Sequence, residues 1–392
     1  MTMHCNWNYP TAIRVGADRL FETTEILQQS HFSQPFVVVD PFIRKQVYFS
    51  EFLTSLNVAI DDDSIFDSFS GNPNETQVMA GVHLLREKKH DCVIVIGGGS
   101  AIDVAKCIAL IAKQNITLWE LEDVADNYLK ADNSKILPII AIPTTAGTGS
   151  EVGRAAVITD TIKQTKRLIF HPKMLPSHVI LDPKLTLSIP PHLTAATGMD
   201  AFAHNLEAFL APGTHPMADG IALEGCRLII ENLPLAFNDG NNINARQNLL
   251  IASMMGATAF QKGLGLIHAL SHPVGAVFDL HHGLLNALFM PYSLNFKKEI
   301  IEDKCCRLAN HLGIKNPSQQ SLLEFVITFI RALNLPLTLK ELDINQDAAE
   351  LIAIKAVKDP SCKTDPRPLT QQELQQIFLN AYSGKELSIY CD

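Results

Sequence analysis

Residues 91–106 read DCVIVIGGGSAIDVAK, an apolar run that leads through three glycines and a serine into a helical pattern. A strand with apolar residues on both faces belongs inside a parallel sheet that is covered by helices. Glycines let a backbone approach a phosphate closely, and the helix that follows offers free N–H groups and a positive dipole end. The residues of this predicted phosphate-binding turn are Gly97, Gly98, Gly99 and Ser100. A plain strand-to-helix turn is the alternative, because GGGS is not the six-residue dinucleotide fingerprint.

The pattern around this segment divides the chain into two parts. Further apolar runs cover 36–40, 136–142 and 178–181, and a helical pattern near 74–89 follows the turn Asn72-Pro73. After about Pro190 helical periodicity replaces the strand pattern, at 195–210, 217–232, 245–261, 284–295 and 320–333. Thr370, with Glu373 three residues later, predicts a capping box that opens a last helix. We therefore expect an α/β domain of residues 1–188 and an all-helical domain of residues 189–392.

The composition indicates a large globular protein. With 392 residues, 47% of them hydrophobic and 19% charged, the chain can bury two cores, which excludes a disordered chain. Its 32 basic and 41 acidic residues give a net charge of −9, so nucleic acid and anionic membranes are poor partners. Met1 to Pro10 predicts no signal peptide, and no apolar stretch is long enough to span a membrane. The eight cysteines form no CxxC pair, so we expect reduced thiols and a cytoplasmic protein.

A second loop follows the apolar run 136–142. Residues 143–151, PTTAGTGSE, present hydroxyls and small side chains at the expected carboxyl end of the same sheet, where α/β proteins bind ligands. Asp40 ends the first apolar run, and its carboxylate suits an adenosine ribose while repelling a 2′-phosphate, which predicts NAD rather than NADP. A simple Asp-Pro turn is the other interpretation of Asp40. Because Asp40 precedes the glycine loop, whereas a Rossmann acid follows it, we expect a Rossmann-like sheet with a different strand order.

Polar residues four positions apart lie on apolar helical patterns of the second domain. They are the pairs Asp200 with His204 and His268 with His272, and the adjacent His281 and His282, about ten residues later, supply a further imidazole. A spacing of four places both members of a pair on one helix face, where they can hold one ion. A structural polar cluster is the alternative, but a metal better explains why so many imidazoles are buried. One carboxylate with imidazoles and no thiolate suits Fe(II) or Zn(II), with a position left open for substrate.

Together these motifs resemble the iron-containing (group III) alcohol dehydrogenase family along nearly the whole chain. They are GNPN at 71–74, DCVIVIGGGSAIDVAK at 91–106, PTTAGTGSEV at 143–152, TGMDAFAHNLE at 197–207 and GLGLIHALSHPVGAVFDLHHG at 263–283. The resemblance implies that family's dehydroquinate synthase-like fold. In that fold an N-terminal α/β dinucleotide-binding domain faces an all-α metal-binding domain, and the active site lies in the cleft.

The resemblance also selects residues that spacing alone leaves open. The implied metal ligands are Asp200, His204, His268 and His282. His272 becomes a pocket residue beside the metal and, with water and the ribose hydroxyl, a candidate for carrying the proton away. The predicted cofactor contacts are Asp40, Asn72, Gly97, Gly98, Gly99, Ser100, Asp103, Thr144, Thr145, Thr148 and Lys166. Of these, Asn72 and Lys166 rest on the resemblance alone.

The predicted activity is reversible hydride transfer between a primary alcohol, or its aldehyde, and NAD(H), with Fe(II) or Zn(II) polarising the substrate oxygen. In residues 152–156, VGRAA, Gly153 and Ala155 leave room for a longer alcohol. Arg154 either attracts a hydroxy acid or semialdehyde or, as strand alternation favours, forms a surface or structural ion pair. Competing functions are those of a polyol dehydrogenase, a dehydroquinate-synthase-type lyase and a non-catalytic assembly module. From the resemblance we expect a homo-oligomer, a dimer or larger.

Overall fold

The computed structural model describes residues 11–69, 71–163, 165–385 and 387. These residues form two compact units, the first ending at Ser188 and the second beginning at Ile189. Every strand in the described residues lies in the first unit, and the second is built of helices. Met1 to Pro10, where no signal peptide is expected, and Cys391 lie outside the described residues.

The first unit contains a six-stranded parallel sheet and a separate antiparallel pair of strands. Its strands are β1 (Ala12–Val15), β2 (Pro35–Val39), β3 (Ile65–Phe66), β4 (Cys92–Gly97), β5 (Ile139–Pro143), β6 (Ala155–Asp160), β7 (Thr165–Phe170) and β8 (His178–Leu181). Its α-helices are α1 (Thr23–Gln29), α2 (Val47–Ser55), α3 (Glu75–Arg86) and α4 (Gly99–Ile111). The antiparallel pair is β6 with β7, and the other six strands have the order β1-β8-β5-β4-β2-β3.

This strand order indicates which edge of the sheet is suited to a ligand. Without the edge strand β1, the five remaining strands numbered along the chain have the doubly wound order 2-1-3-4-5, which is not the Rossmann order. The winding reverses between β2 and β4, and sheets of this kind bind ligands at the carboxyl ends of the strands beside that point. The prediction of a parallel sheet with a non-Rossmann order is confirmed. Both β2 and β4 are buried along their whole length, as their apolar sequences predict.

One predicted strand is shorter than expected. The apolar run from Ile136 becomes strand only at Ile139. Pro138 has no N–H to donate to a neighbouring strand, and the N–H of Leu137 donates to the carbonyl of Ala109 at 3.1 Å. The run therefore enters the sheet after its proline.

The second unit consists of nine α-helices in its described residues. They are α5 (Pro191–Leu210), α6 (Pro216–Asn238), α7 (Ile243–Ala259), α8 (Leu266–Phe278), α9 (His282–Phe296), α10 (Lys298–His311), α11 (Gln319–Ala332), α12 (Ala349–Ala356) and α13 (Gln371–Ser383). Helix α5 is buried on nearly every side, and its buried residues include polar ones as well as apolar ones. The predicted capping box is present, because Thr370 and Glu373 cap the start of α13 reciprocally.

Close packing around α5 depends on two glycines and one asparagine. Added Cβ atoms would lie 2.0 Å from the Asn205 side chain at Gly225 and 2.7 Å from it at Gly256, so α6 and α7 can approach α5 only with glycine there. The Asn205 amide donates to the carbonyls of Ala201 and Ala252, at 2.8 and 3.0 Å. These contacts fix α5 against its neighbours, and α5 carries part of the site described below.

Among the described residues, no single helix is both long enough and apolar enough to cross a membrane. The segments Ile243–Lys262 and Leu266–Phe278 reach that length and apolar character only when they are taken together, and a bend of 109° separates them.

Candidate metal centre and dinucleotide site

Three of the predicted ligands converge in the core of the second unit. Asp200 and His204 lie one turn apart on α5, and His268 lies in the first turn of α8. One ligand atom from each lies within 4.8 Å of the others, and all three residues are buried. The rings of His204 and His268 are stacked with 4.8 Å between their centroids. Ligand atoms about 2.1 Å from one tetrahedral ion are roughly 3.4 Å apart, so small side-chain movements would close this group around a metal.

The fourth predicted ligand, His282, is the first residue of α9. Its Nε2 lies 3.6 Å from Asp200 Oδ1, and 24% of its side chain is exposed. Gly283 makes this placement possible, because an added Cβ there would lie 2.1 Å from the carbonyl oxygen of Ala196 on α5. His281 is exposed at the N-cap of α9, so the structure brings His282 and not His281 to the cluster.

The Asn286 side chain shows that the cluster suits a cation. Its Nδ2 lies 2.7 Å from Asp200 Oδ1, 3.2 Å from His268 Nε2 and 3.1 Å from His282 Nε2. Asp200 Oδ1 is an acceptor, and so is His268 Nε2, because Glu207 engages His268 Nδ1. Asn286 Oδ1 is also buried with no hydrogen-bond partner. One carboxylate oxygen and two imidazole nitrogens around a single point form a set of atoms that fits a bound divalent cation.

Glu207, which the sequence reasoning gave no role, fixes the orientation of His268. Its Oε2 lies 2.7 Å from His268 Nδ1, and its two oxygens accept the N–H groups of Gly265 and Ile267 at 2.9 and 2.7 Å. Burial raises the pKa of the Glu207 carboxyl, but the His268 ring and then the Lys297 charge outweigh burial and hold it below its ordinary value. The carboxylate therefore holds a proton on Nδ1 and leaves the Nε2 lone pair directed at the cluster.

A second buried carboxylate completes the start of α8. Its N-cap, Gly265, has no side chain to accept the first N–H groups, so carboxylates from elsewhere in the fold accept them. Asp365 Oδ2 accepts the N–H of Leu266 at 2.7 Å and the buried Lys297 ammonium at 2.8 Å. The position of Glu207, three residues after His204 on the same helix, was the available sequence signal, whereas nothing near Asp365 indicated its contact.

His272 lies beside the cluster. Its ring is stacked on that of His282 with 5.1 Å between centroids, and 26% of its side chain is exposed. Its Nδ1 lies 2.8 Å from Asp359 Oδ2. Burial raises the pKa of Asp359, but the His272 ring outweighs it and the pKa is lowered. Asp359 thus fixes the His272 ring and leaves Nε2 as the atom that can exchange a proton.

In the first unit, the two predicted cofactor loops lie side by side because β4 and β5 are hydrogen-bonded neighbours. A Cβ added to Gly98 would lie 3.2 Å from Thr145 Oγ1, and one added to Gly99 would lie 2.5 Å from Thr148 Cγ2. A side chain at Gly99 would collide with Thr148, and one at Gly98 would be tight against Thr145, so these glycines let the threonine loop lie against the glycine loop. The structure thus brings together the residues of both loops.

Helix α4 starts at the contact between these loops. Gly98 is its N-cap and carries no side chain, so no cap side chain accepts the N–H groups of the first turn. The N–H of Thr144 donates to the carbonyl of Gly97 at 3.0 Å, which fixes the second loop at the end of β4. An uncapped helix N-terminus at the carboxyl edge of a parallel sheet is suited to a phosphate group.

Asp40 follows β2, on the other side of the point where the winding reverses. Its Oδ1 accepts the N–H of Phe42 at 2.8 Å, as the Asp-Pro turn interpretation predicts. Its Cβ lies 3.2 Å from the position that a Cβ on Gly97 would take. The Asp40 side chain therefore lies next to the glycine loop, and its carboxylate also stabilises the turn that follows β2.

The two residues that rested on resemblance alone belong to the same part of the first unit. Ser100 Oγ donates to the carbonyl of Gly71, the residue before Asn72, at 2.6 Å. The N–H of Thr159 donates to the carbonyl of Pro73, the residue after Asn72, at 2.8 Å. Thr159 on β6 is also the register partner of Lys166 on β7. Hydrogen bonds thus connect the segments that contain Asn72 and Lys166 to the glycine loop, which sequence spacing could not show.

The contacts that the structure shows for Asp103, predicted as a cofactor contact, are with donors of the protein itself. Its Oδ1 accepts the Ser150 hydroxyl at 2.6 Å and its Oδ2 accepts the N–H of Val157 at 2.9 Å. Burial raises the pKa of this carboxyl. Because protein donors engage both oxygens, the structure gives Asp103 a supporting position behind the loops.

Arg154 requires a correction. The strand alternation expected through it does not apply, because β6 begins only at Ala155, after a 3₁₀ turn at Ser150–Val152. The guanidinium lies 5.7 Å from the centre of the Phe170 ring, and the Arg154 carbonyl accepts the N–H of His171 at 3.2 Å. Arg154 is therefore engaged within its own unit.

Comparisons with known proteins cover almost the whole chain. A family model described as "Iron-containing alcohol dehydrogenase" matches residues 10–183, and one described as "Fe-containing alcohol dehydrogenase family, C-terminal" matches residues 194–382. The NAD-dependent methanol dehydrogenase of Bacillus methanolicus is 33% identical over 96% of this chain and 99% of its own. The 4-hydroxybutyrate dehydrogenase of Cupriavidus necator is 38% identical over 80% of this chain and 84% of its own. The sulfoacetaldehyde reductase of Bifidobacterium kashiwanohense, solved with NAD+, superposes with a TM-score of 0.89 at 28% identity over 97% and 100% of the two chains.

Proposed function

The chain belongs to the iron-containing alcohol dehydrogenase family, and we propose that it transfers hydride reversibly between a primary alcohol, or its aldehyde, and NAD(H). The observation that carries the proposal is the buried convergence of Asp200, His204 and His268. It lies in a chain whose other unit presents a glycine loop at the winding reversal of a parallel sheet, with a threonine loop beside it.

The metal ligands we propose are those implied by the sequence: Asp200, His204, His268 and His282. One carboxylate with three imidazoles suits Fe(II) or Zn(II), and the family makes Fe(II) the first choice. When bound there, such an ion supplies Lewis acidity to the oxygen of the substrate. Glu207 contributes by holding His268 in the tautomer whose Nε2 can coordinate, and Asn286 contributes an amide beside Asp200.

We propose His272 as the residue that moves the proton of the alcohol hydroxyl. Asp359 holds its Nδ1, so Nε2 is the nitrogen that exchanges the proton with the substrate side or with water. Its position beside the ligands, with its ring stacked on that of His282, supports this role.

For the cofactor, we propose that the N–H groups at the start of α4 bind the pyrophosphate and that Asp40 binds the adenosine ribose. NAD supplies the hydride acceptor when it is bound. The remaining contacts that we propose are Asn72, Gly97, Gly98, Gly99, Ser100, Thr144, Thr145, Thr148 and Lys166. Asp103 acts indirectly, through the loop that it supports.

For the substrate, we propose a primary alcohol without a carboxylate. Relatives are named for methanol, 4-hydroxybutyrate and 1,3-propanediol, so hydroxy acids and diols are the competing classes. The contact of Arg154 with the Phe170 ring supports the uncharged class, because it leaves this guanidinium engaged by its own unit. We also propose a cytoplasmic homo-oligomer, a dimer or larger; the six described cysteines are free, which suits a reducing compartment.

Steady-state assays of the metal-loaded enzyme test this proposal. A panel of short alcohols, diols and ω-hydroxy acids is supplied with NAD, and the NADH formed is followed by its absorbance. We expect sustained NADH formation that is fastest with uncharged primary alcohols. A dehydroquinate-synthase-type lyase or an assembly module would form no net NADH with any of them, and preference for a hydroxy acid would overturn the substrate class.

A further inference from the structure

Three charged side chains lie behind the cofactor loops and take no part in the proposed reaction. They are Asp103 and Lys106 on α4 and Glu151 in the threonine loop. Lys106 is fully buried and Glu151 is 2% exposed. Burial lowers the pKa of Lys106 to about 8 and raises that of Glu151 to about 7. Side chains this costly to bury require an explanation.

The contacts of Lys106 connect the helix that carries the glycine loop to the segment that carries the threonine loop. Its Nζ donates to Ser150 Oγ at 2.8 Å and to the carbonyl of Ala155 at 2.9 Å. The Ser150 hydroxyl in turn donates to Asp103 Oδ1 at 2.6 Å. The second carboxylate oxygen of Asp103 accepts the N–H of Val157. Lys106, Asp103 and Ser150 therefore form one hydrogen-bonded hub between α4 and residues 150–157.

The hub lies directly behind the place where the loops touch. Asp103 and Lys106 occupy the second and third turns of α4, and Gly99 opens the same helix. Ser150 follows Thr148 by two residues, and its N–H donates to Thr148 Oγ1 at 3.2 Å. Any shift of Ser150 relative to α4 would therefore move Thr148 relative to Gly99.

Stability alone does not account for such a hub. Replacing a buried ion pair with well-packed apolar side chains is often neutral or stabilising, so a buried pair is weak evidence for a stabilising role. Directed hydrogen bonds from one ammonium do, however, fix distances that apolar packing leaves adjustable.

We propose that Lys106 is a positioning residue for the dinucleotide: through Ser150 and Asp103 it sets the separation between the threonine loop and the N-terminus of α4, and thereby the affinity for NAD. The inference rests on the proposed function, since it assumes that these loops bind NAD. Lys106 is fully buried and acts through Ser150 rather than on the substrate.

The test compares Lys106→Met and Ser150→Ala with the parent in the metal-loaded enzyme. Lys113→Met is the matched control, because Lys113 follows α4 and its ammonium donates to the carbonyl of His90, away from the hub. The dissociation constant for NADH is measured by fluorescence titration, the KM values for NAD and alcohol by kinetics, and folding by thermal melting.

We expect both hub variants to bind NADH about tenfold more weakly, because each loses a hydrogen bond to a charged group. The KM for NAD should rise by about the same factor. The KM for the alcohol and the metal content should not change, and Lys113→Met should match the parent throughout. If Lys106→Met does not fold, Ser150→Ala decides, because it removes the hub hydroxyl without leaving a charge unpaired.

Folded hub variants that bind NADH as the parent does would overturn the positioning role and leave the proposed function standing. A parent that binds no NADH would overturn the proposed function itself. Equal rises in both KM values would indicate a general disturbance and would also overturn the specific role.

Discussion

Glu207→Gln is expected to weaken the metal centre without removing a ligand. In the parent, the Glu207 carboxylate accepts His268 Nδ1 at 2.7 Å and two backbone N–H groups from the start of α8. The glutamine has nearly the same shape but no charge, and its amide nitrogen can face His268 as a donor. The proton on Nδ1 is then no longer favoured, and part of the population presents the wrong tautomer to the metal.

The size of the effect follows from the role of partners behind metal-bound histidines. Loss of such a partner lowers metal affinity by about 10–100-fold, or roughly 1.4–2.7 kcal/mol. The uncharged glutamine also interacts less favourably with the positive end of α8, which adds to the loss in the same direction. We therefore expect a weaker metal dissociation constant and a normal KM for NAD.

The assay is competition for Zn(II) or Fe(II) between the apoprotein and a chelator of known affinity. Glu373→Gln is the control, since Glu373 also accepts a backbone N–H at a helix start, that of Thr370, but caps α13 rather than a ligand helix. A folded Glu207→Gln variant that holds metal as tightly as the parent and the control would refute the reasoning about the His268 tautomer.

Three further predictions follow from single residues. His272→Ala should lower kcat by about a hundredfold, the common contribution of general acid–base catalysis, with metal content unchanged; an unchanged kcat and pH–rate profile would assign the proton to another carrier. Asp40→Ala should raise the ratio of kcat/KM for NADP to that for NAD by roughly tenfold, because a like charge facing the 2′-phosphate is removed, and an unchanged ratio would restrict Asp40 to its turn. Burial raises the pKa of Glu151 from 4.5 to about 7, so the stability it contributes is complete below pH 4.5 and lost as the pH rises to 7. The unfolding free energies of Glu151→Gln and the parent are measured in urea at several pH values. The variant's value minus the parent's should rise by about 3 kcal/mol between pH 4.5 and 7 and then stay constant. A difference that does not change with pH would contradict this.

Much of the fold could be predicted because it depends on local patterns. Apolar runs bounded by glycine and proline predicted the strands, and a change of periodicity near Pro190 predicted the helical unit. The i,i+4 spacing placed Asp200 and His204 on one face of α5, where the structure has them. The position of Asp40 before the glycine loop was enough to exclude the Rossmann order.

What could not be predicted depends on contacts between residues distant in sequence. The bond of Glu207 to His268 spans 61 residues, and that of Asp365 to Leu266 spans 99. Asp103 has the spacing of a loop contact, and only the positions of Ser150 and Val157 show that it is engaged from behind.

Arg154 illustrates the same limit at short range. A 3₁₀ turn at Ser150–Val152 delays β6 by several residues, which no alternation pattern reveals. The placement of His282 depends on a glycine, because Gly283 alone lets α9 begin against the backbone of α5. The choice of His282 over His281 therefore came from resemblance, and the complete ligand set stays a prediction.

Metal reconstitution tests the central claim most directly. The enzyme is purified anaerobically, its metal is quantified and removed, and Fe(II) or Zn(II) is added back while NADH formation from a primary alcohol is followed. We predict that activity is lost with the metal, returns in proportion to the ion restored, and reaches its limit at a stoichiometry of one ion to one chain. Full NADH formation by the stripped protein, or stoichiometric metal binding without NADH formation from any alcohol, would contradict the assignment of this cluster as the redox site.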